Sequence, residues 1–411
     1  MIIDFSSKQK KNIRYIHKSV LVGRKGQERY RVMIMLENKN TGIKVPHPLT
    51  EFLSNYNHLE HSSVIQKANY VIPFLNYIFF NDNQSYKLKS LSDITFEHGV
   101  DFLNDFSKGN IGRNIPNRDT VKIAEKVLTQ FYEFLLEKKL LNNSQIMLLC
   151  TAEFYHQNKG WIKYKKSPFK GVCYPRNKRS NKLSSIPMEL VIAFIDIAII
   201  ETPDIVLGIY FQLFGGLRVS EAINLSKNCI ELIGPNGIYG MNLDLKKRYF
   251  RKNIVNNNGK GGVKKPRLQY IMPIGSILPK LYARHLEIYH KNKNHEALFI
   301  NRNNEAMSVC SYYDKFNRLK KAFINSLVKS ENPQLKSYAI VLLSKKWSTH
   351  IGRGTFSKLV ADYTKNPTEL AVMRGDTAYE SALPYIQGSF GVQKAIEKVM
   401  SNFYSDLLNT K

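Results

Sequence analysis

Three short segments carry side chains whose types and spacing could act on a phosphate. In Gly215-Gly216-Leu217-Arg218-Val219-Ser220-Glu221-Ala222-Ile223-Asn224-Leu225, an arginine follows a Gly-Gly break. It precedes a helix with apolar Val219, Ala222, Ile223 and Leu225, whose first turn Ser220 and Glu221 favour electrostatically. In Thr349-His350-Ile351-Gly352-Arg353-Gly354-Thr355-Phe356, His350 and Arg353 stand three residues apart. Positions i and i+3 share a helix face, so both can reach one phosphate. The third segment, Met373 to Tyr385 (MRGDTAYESALPY), holds Asp376, Tyr379 and Tyr385. Each is ordinary alone: the chain has 10 histidines, abundant arginine and 23 tyrosines, so only order and separation give these residues meaning.

The elements that would position them belong to a basic chain of 411 residues, long enough for two or three domains. Lys and Arg number 61 against 33 Asp and Glu, a formal charge of +28. Such an excess repels itself unless a polyanion shares the surface, which points to nucleic acid or an anionic membrane. A membrane span is not expected: the longest apolar run, Leu190 to Ile200, is short and contains Asp196. The start, MIIDFSSKQKKNIRY, lacks the apolar core of a signal peptide. Cys150, Cys173, Cys229 and Cys310 are scattered, with no CxxC and no paired Cys/His spacing. They read as reduced thiols of a cytosolic protein, with no metal site.

Residues 1–58 read as a basic N-terminal module. Arg29 to Leu36 suits a strand, Asn38 to Gly42 a turn, and Ile43 to Val45 a returning strand. From about Ser62 the period becomes helical, through Val64, Ala68, Val71, Leu75 and Ile78. A shorter helix is expected over Phe96 to Phe106, and another through Val121, Ala124, Phe131 and Leu135. Residues 59–160 thus form a helical domain. Residues 161–184 read as a basic linker: nine Lys or Arg lie between Lys159 and Lys182 with no acid, broken by Pro168, Gly171 and Pro175. Such a stretch is a solvated linker and equally suits crossing a phosphate backbone. Residues 185–411 open with Ser184-Ser185 as a cap and Pro187 in the first turn. Helices follow over Met188 to Ile199 and Ile205 to Phe214, then a β-rich stretch from Gly237 to Ile274, then helices to the end.

Taken together, the three segments resemble the tyrosine recombinase (phage integrase) family. GGLRVSEAINL is similar to that family's first-arginine box, THIGRGTF to its HxxR box, and Arg374-Gly375-Asp376 followed nine residues later by Tyr385 to its LGH…Y segment. The separations suit it: 135 residues from Arg218 to Arg353 and 32 more to Tyr385. The resemblance implies a mainly α fold with a small β-sheet. A helical, SAM-like core-binding domain and a catalytic domain would close around duplex DNA as a clamp.

It also implies a chemistry that needs no metal, ATP or other cofactor. Tyr385 attacks phosphorus and holds the strand as a 3′-phosphotyrosyl ester. Arg218 and Arg353 clamp the non-bridging oxygens with paired N–H donors, and His350 works as general acid/base or orients the phosphate. A lysine on a β-hairpin protonates the leaving 5′-oxygen; Lys260 in Gly259-Lys260-Gly261-Gly262 resembles it, with Lys264 and Lys265 as alternatives. Tyr379 is the competing nucleophile, three residues beyond Asp376. Two positions depart from the family: Gly354 stands where the residue after the second arginine is usually His, and Asp376 where His or Trp is usual. An acid at 376 either orients His350 or an arginine, or is displaced from the phosphate.

The implied partners are double-stranded DNA, three further copies forming a homotetramer on paired sites, and accessory DNA-bending or directionality proteins; no membrane is implied. The implied location is the bacterial cytoplasm and nucleoid, and the implied role is integration or excision of a mobile element. A recombinase-fold DNA-binding regulator that has lost strand transfer, and a type IB topoisomerase, stay open. Val392 to Leu408 has helical spacing and could dock on a neighbouring copy or on its own domain.

Overall fold

The structure is a computed structural model describing residues 12–23, 29–80, 88–112, 114–141, 151–156, 160–176, 182–251, 262–263, 265–291, 295–364, 366–376 and 382–387. The chain divides into two units, Met1–Arg179 and Ser180–Lys411.

In the first unit β1 (Ile13–Val22), β2 (Arg29–Asn38) and β3 (Lys44–Pro46) form an antiparallel sheet in that order. The two expected strands are β2 and β3. The sequence reading passed over β1, whose apolar residues are interrupted by Arg14 and Lys18, yet it pairs with β2 along its whole length. Four helices follow: α1 (Thr50–Ser54), α2 (His61–Phe80), α3 (Phe96–Lys108) and α4 (Arg118–Glu137). The helical spacing predicted for α2 is the buried face, Val64, Ala68, Val71, Leu75 and Ile78. Asn117 caps α4, its side chain accepting from the Thr120 amide at 2.7 Å.

Sheet and helices share one apolar core, in which Tyr15, Val32 and Ile34 join Phe52, Phe74, Leu128 and Phe131. The Asn76 amide pins β1 to α2, accepting from the Tyr15 N–H at 2.7 Å and donating to its carbonyl at 2.9 Å. The boundary expected at residue 58 falls inside this packed unit.

The basic stretch after residue 150 is more ordered than a solvated linker. β4 (Thr151–His156) and β5 (Gly160–Lys165) pair antiparallel. Phe169 is then buried edge-on against Phe96 and Tyr132. The Cys173 amide donates to Asn104 at 2.7 Å, and the Tyr174 hydroxyl donates to Glu125. Aromatic residues inside a charge run gave it something to bury.

The second unit holds α5 (Met188–Glu201), α6 (Val206–Gly215), α7 (Val219–Ala222), β6 (Ile230–Leu232), β7 (Met241–Leu245), β8 (Arg267–Ile271) and α8 (Ile277–His290). It continues with α9 (Val309–Lys329), α10 (Pro333–Ser344), α11 (His350–Tyr363), α12 (Pro367–Arg374) and α13 (Leu383–Gln387). Every residue of α6 is buried, which makes it the central helix. β6, β7 and β8 form an antiparallel sheet that turns Met241, Leu243, Leu245 and Ile271 inward. Pro187 is the N-cap of α5 and not in its first turn, its ψ of 141° being extended, and the helix starts at Met188 as expected. Among the described residues no helix is long and apolar enough to cross a membrane. The segment Val392 to Leu408 lies outside the described residues.

Candidate active site

The central helix α6 ends at the Gly216 cap, and the chain leaves it extended at Arg218. Glu221, one turn on, closes this corner. Its carboxylate accepts from the Arg218 backbone N–H at 2.8 Å and from the Arg218 guanidinium at 3.0 Å. Arg267, at the start of β8, reaches the same carboxylate with two N–H groups, at 2.8 and 3.2 Å. Glu221 is 1% exposed, and a lone buried carboxylate would be costly. Burial pushes its pKa up, but the hydrogen bonds and charge of Arg267, aided by Arg218, outweigh that and hold it below the ordinary value.

Helix α11 packs along α6 and carries His350 and Arg353. Arg353 is buried; one terminal nitrogen donates to the Gly216 carbonyl and the other to Asp376 Oδ1 at 2.7 Å. Arg218 donates to that same oxygen at 3.0 Å. Arg374, the buried last residue of α12, brings its Nε to 3.2 Å from Asp376 Oδ2. Three guanidiniums thus surround one carboxylate. Burial, and then the charge of Arg218, lower the Arg353 pKa to about 10 against the pull of Asp376, which leaves it cationic at neutral pH. His350 is exposed at the rim. Protein packed against its inner side, followed by the charges of Arg218, Arg353 and Lys182, lowers its pKa below the ordinary 6.5.

Two glycines set this geometry. Gly375 has φ +65° and caps α12, so that Asp376 turns back over Arg374; a Cβ there would also lie 2.1 Å from Arg267 Nε. Gly354 has no room for a side chain: its Cβ would stand 1.6 Å from the Ser184 carbonyl oxygen, where the chain enters the unit. The usual histidine at 354 is therefore excluded by packing.

Tyr385 lies on the short helix α13, half-buried against a small apolar cluster that includes Phe356, Val360, Leu370 and Ile386. Its ring faces Arg374, with Cζ 5.0 Å from the ring centroid. An unbroken series of contacts joins Arg218 and Arg353 to Asp376, Asp376 to Arg374, and Arg374 to Tyr385. Lys260, Lys264 and Tyr379 lie outside the described residues. Lys265 is at the edge of the cluster, its carbonyl 3.4 Å from an Arg267 nitrogen.

Sequence reasoning missed Arg267 and Arg374, and gave Glu221 only a helix-start role. Glu221 and Arg374 had local signals, three residues from Arg218 and two from Asp376. Arg267 had none, since its partner is 46 residues away.

No family model and no curated protein matches this sequence. Solved structures do match its fold. The Tn1549 transposon integrase in complex with circular intermediate DNA is 14% identical with a TM-score of 0.56, over 85% of this chain and 97% of that one. The XerH site-specific recombinase bound to palindromic difH substrate is 14% identical with a TM-score of 0.53, over 82% and 80%. A lambda integrase dimer bound to a COC′ core site is 11% identical with a TM-score of 0.50, over 82% and 94%. This chain, mainly α with small antiparallel sheets, has the fold of the tyrosine recombinases.

Proposed function

We propose that this chain is a site-specific DNA recombinase of the tyrosine type that serves a mobile element. The observation that carries the reading is the convergence of Arg218 and Arg353 on one anionic oxygen, at 3.0 and 2.7 Å, in a cluster linked to Tyr385. A phosphodiester has two non-bridging oxygens that gain charge as the nucleophile arrives, and fixed guanidiniums stabilise that charge. The net charge of +28 and the DNA held by the solved relatives of this fold agree with a duplex as substrate.

The Tyr385 oxygen attacks phosphorus and the bond to the 5′-oxygen breaks, leaving a 3′-phosphotyrosyl ester and a 5′-hydroxyl. The phenol proton passes to His350, whose lowered pKa keeps it neutral and able to accept at pH 7. The leaving oxygen takes its proton from a lysine, Lys260 by motif, with Lys264 and Lys265 as alternatives. Attack by the 5′-hydroxyl of another strand reverses the step, with four copies on two sites. The phosphate must displace Asp376 Oδ1 from Arg218 and Arg353. In the DNA-free protein that carboxylate offsets the mutual repulsion of the arginines.

The same carboxylate favours a second reading, a DNA-binding regulator whose clamp is already satisfied. To separate the two, the full chain is incubated with a pool of nicked duplexes randomised across the core, and DNA surviving detergent is recovered. Strands blocked at the 3′ end by protein, with free 5′-hydroxyls on the partner fragment, are expected. Tight retention of selected sequences without any detergent-stable adduct establishes the regulator instead.

A further inference from the structure

Arg374 opens the Arg374-Gly375-Asp376 segment but was given no role from the sequence, yet it is 7% exposed and touches both the carboxylate at the centre of the clamp and the candidate nucleophile. We propose that Arg374 is a positioning residue that fixes the Tyr385 ring relative to the arginine clamp, with Asp376 as the shared tie; this rests on the recombinase reading above.

The case begins with α13. It spans five residues, Leu383–Gln387, too few for helical hydrogen bonding to hold it in place alone. Its position must come from side-chain contacts. On one side Ala382 and Ile386 enter the apolar cluster of α11 and α12, and on the other the Tyr385 ring meets the Arg374 guanidinium. Cations within about 6 Å of an aromatic centroid are attracted to the ring face. The separation here is 5.0 Å.

Arg374 is itself fixed. The last turn of α12 carries it, and its Nε faces Asp376 Oδ2 at 3.2 Å. The neighbouring Met373 carbonyl accepts from Gln269 of β8 at 2.9 Å, and Gln269 also accepts from Arg267 at 2.8 Å. The end of α12 is therefore tied to the sheet.

The division of labour within Asp376 gives the arrangement its meaning. Oδ1 serves Arg218 and Arg353, whereas Oδ2 serves Arg374. A phosphate that takes over the partners of Oδ1 leaves the Oδ2 contact and the tie of α12 through Gln269 and Arg267 to Glu221 able to persist, so the ring stays registered to the clamp through substrate binding. A lysine keeps the cation over the ring and a positive charge facing Asp376. A methionine keeps only bulk.

The test compares the full chain with Arg374→Lys and Arg374→Met. On the nicked, core-randomised pool, Arg374→Met is expected to retain DNA within about threefold of the unsubstituted protein but to form covalent adducts at least thirtyfold more slowly, with Arg374→Lys within fivefold. A purely structural role lowers retention and adduct formation together and is not rescued by lysine; that result overturns the proposal, as does a normal adduct rate for Arg374→Met. Adducts from the unsubstituted protein show that such a failure belongs to this proposal and not to the recombinase reading. A DNA-free measurement stands independently: nitration of Tyr385 by tetranitromethane, followed by peptide mass spectrometry, is expected to be at least threefold faster in Arg374→Met and near normal in Arg374→Lys. Equal nitration in all three proteins contradicts the contact.

Discussion

At the scale of single residues the site is a problem in charge compensation. Four buried or half-buried arginines, Arg218, Arg267, Arg353 and Arg374, share two carboxylates, Glu221 and Asp376. Glu221 cannot leave: it is sealed between Arg218 and Arg267 and shapes the turn that aims Arg218. In the proposed reaction Asp376 occupies the place the phosphate takes, so it should set a threshold for binding. Asp376→Asn keeps the shape and removes the competing charge. It should tighten non-covalent binding of the nicked pool by about threefold to tenfold, in keeping with about 1 kcal/mol for a like-charge contact in a partly solvated site. A filter-binding titration that shows weaker binding removes this role from Asp376. Arg218, His350, Arg353 and Tyr385 could be singled out as candidates from the sequence because the order and separation of their three segments together resemble a known set. Arg267 could not, because strand pairing alone carries it to Glu221.

At the scale of elements, packing explains what the motifs alone do not. α11 lies so close to the entering chain that residue 354 must lack a side chain. Gly354→Ala forces the Ser184 backbone aside and should cost about 3 kcal/mol, the upper range for overpacking, seen as a lower thermal midpoint of the second unit. An unchanged midpoint means that α11 and residue 184 are not packed as described. α8 carries a pH dependence of its own. His285 is 3% exposed and its Nε2 donates to the Leu298 carbonyl, so its unprotonated Nδ1 is buried without a hydrogen-bond partner among the described residues. Burial lowers its pKa from 6.5 to about 4. Between those values the unfolded chain takes up a proton that the folded chain refuses. Stability is therefore complete above pH 6.5 and lost as pH falls towards 4, by about 3 kcal/mol. Relative to the unsubstituted protein, His285→Phe should show a flatter fall in thermal midpoint between pH 7 and pH 4.5; parallel curves exclude His285 as the cause. α2 and α4 were legible from period because their buried faces recur regularly, and α5 and α6 as apolar runs, whereas the five-residue α1 was not read. β1 and the docked segment around Phe169 were not, since basic residues interrupt the apolar pattern and the partners lie far along the chain.

At the scale of the whole molecule, charge and division into two units matter most. The chain divides into the two units between Arg179 and Ser180, and the docked residues from Phe169 to Tyr174 belong to the first. The part of the basic run left to join the units is thus shorter than composition alone suggested. The excess of 28 positive charges should make binding to any duplex steeply salt-dependent. With roughly six to ten phosphates neutralised, the logarithm of the binding constant should fall with the logarithm of salt concentration at a slope of about −5 to −9. A slope shallower than about −2, measured by anisotropy on a long random duplex, contradicts an extended phosphate-contacting surface.

The central claim is that Tyr385 carries the strand. The most direct measurement is peptide mass spectrometry of the covalent adduct formed on nicked DNA after nuclease trimming. The account predicts a nucleotide mass on the peptide containing Tyr385, localised to that residue, and no adduct from Tyr385→Phe. A nucleotide on Tyr379, or an adduct that persists in Tyr385→Phe, contradicts it.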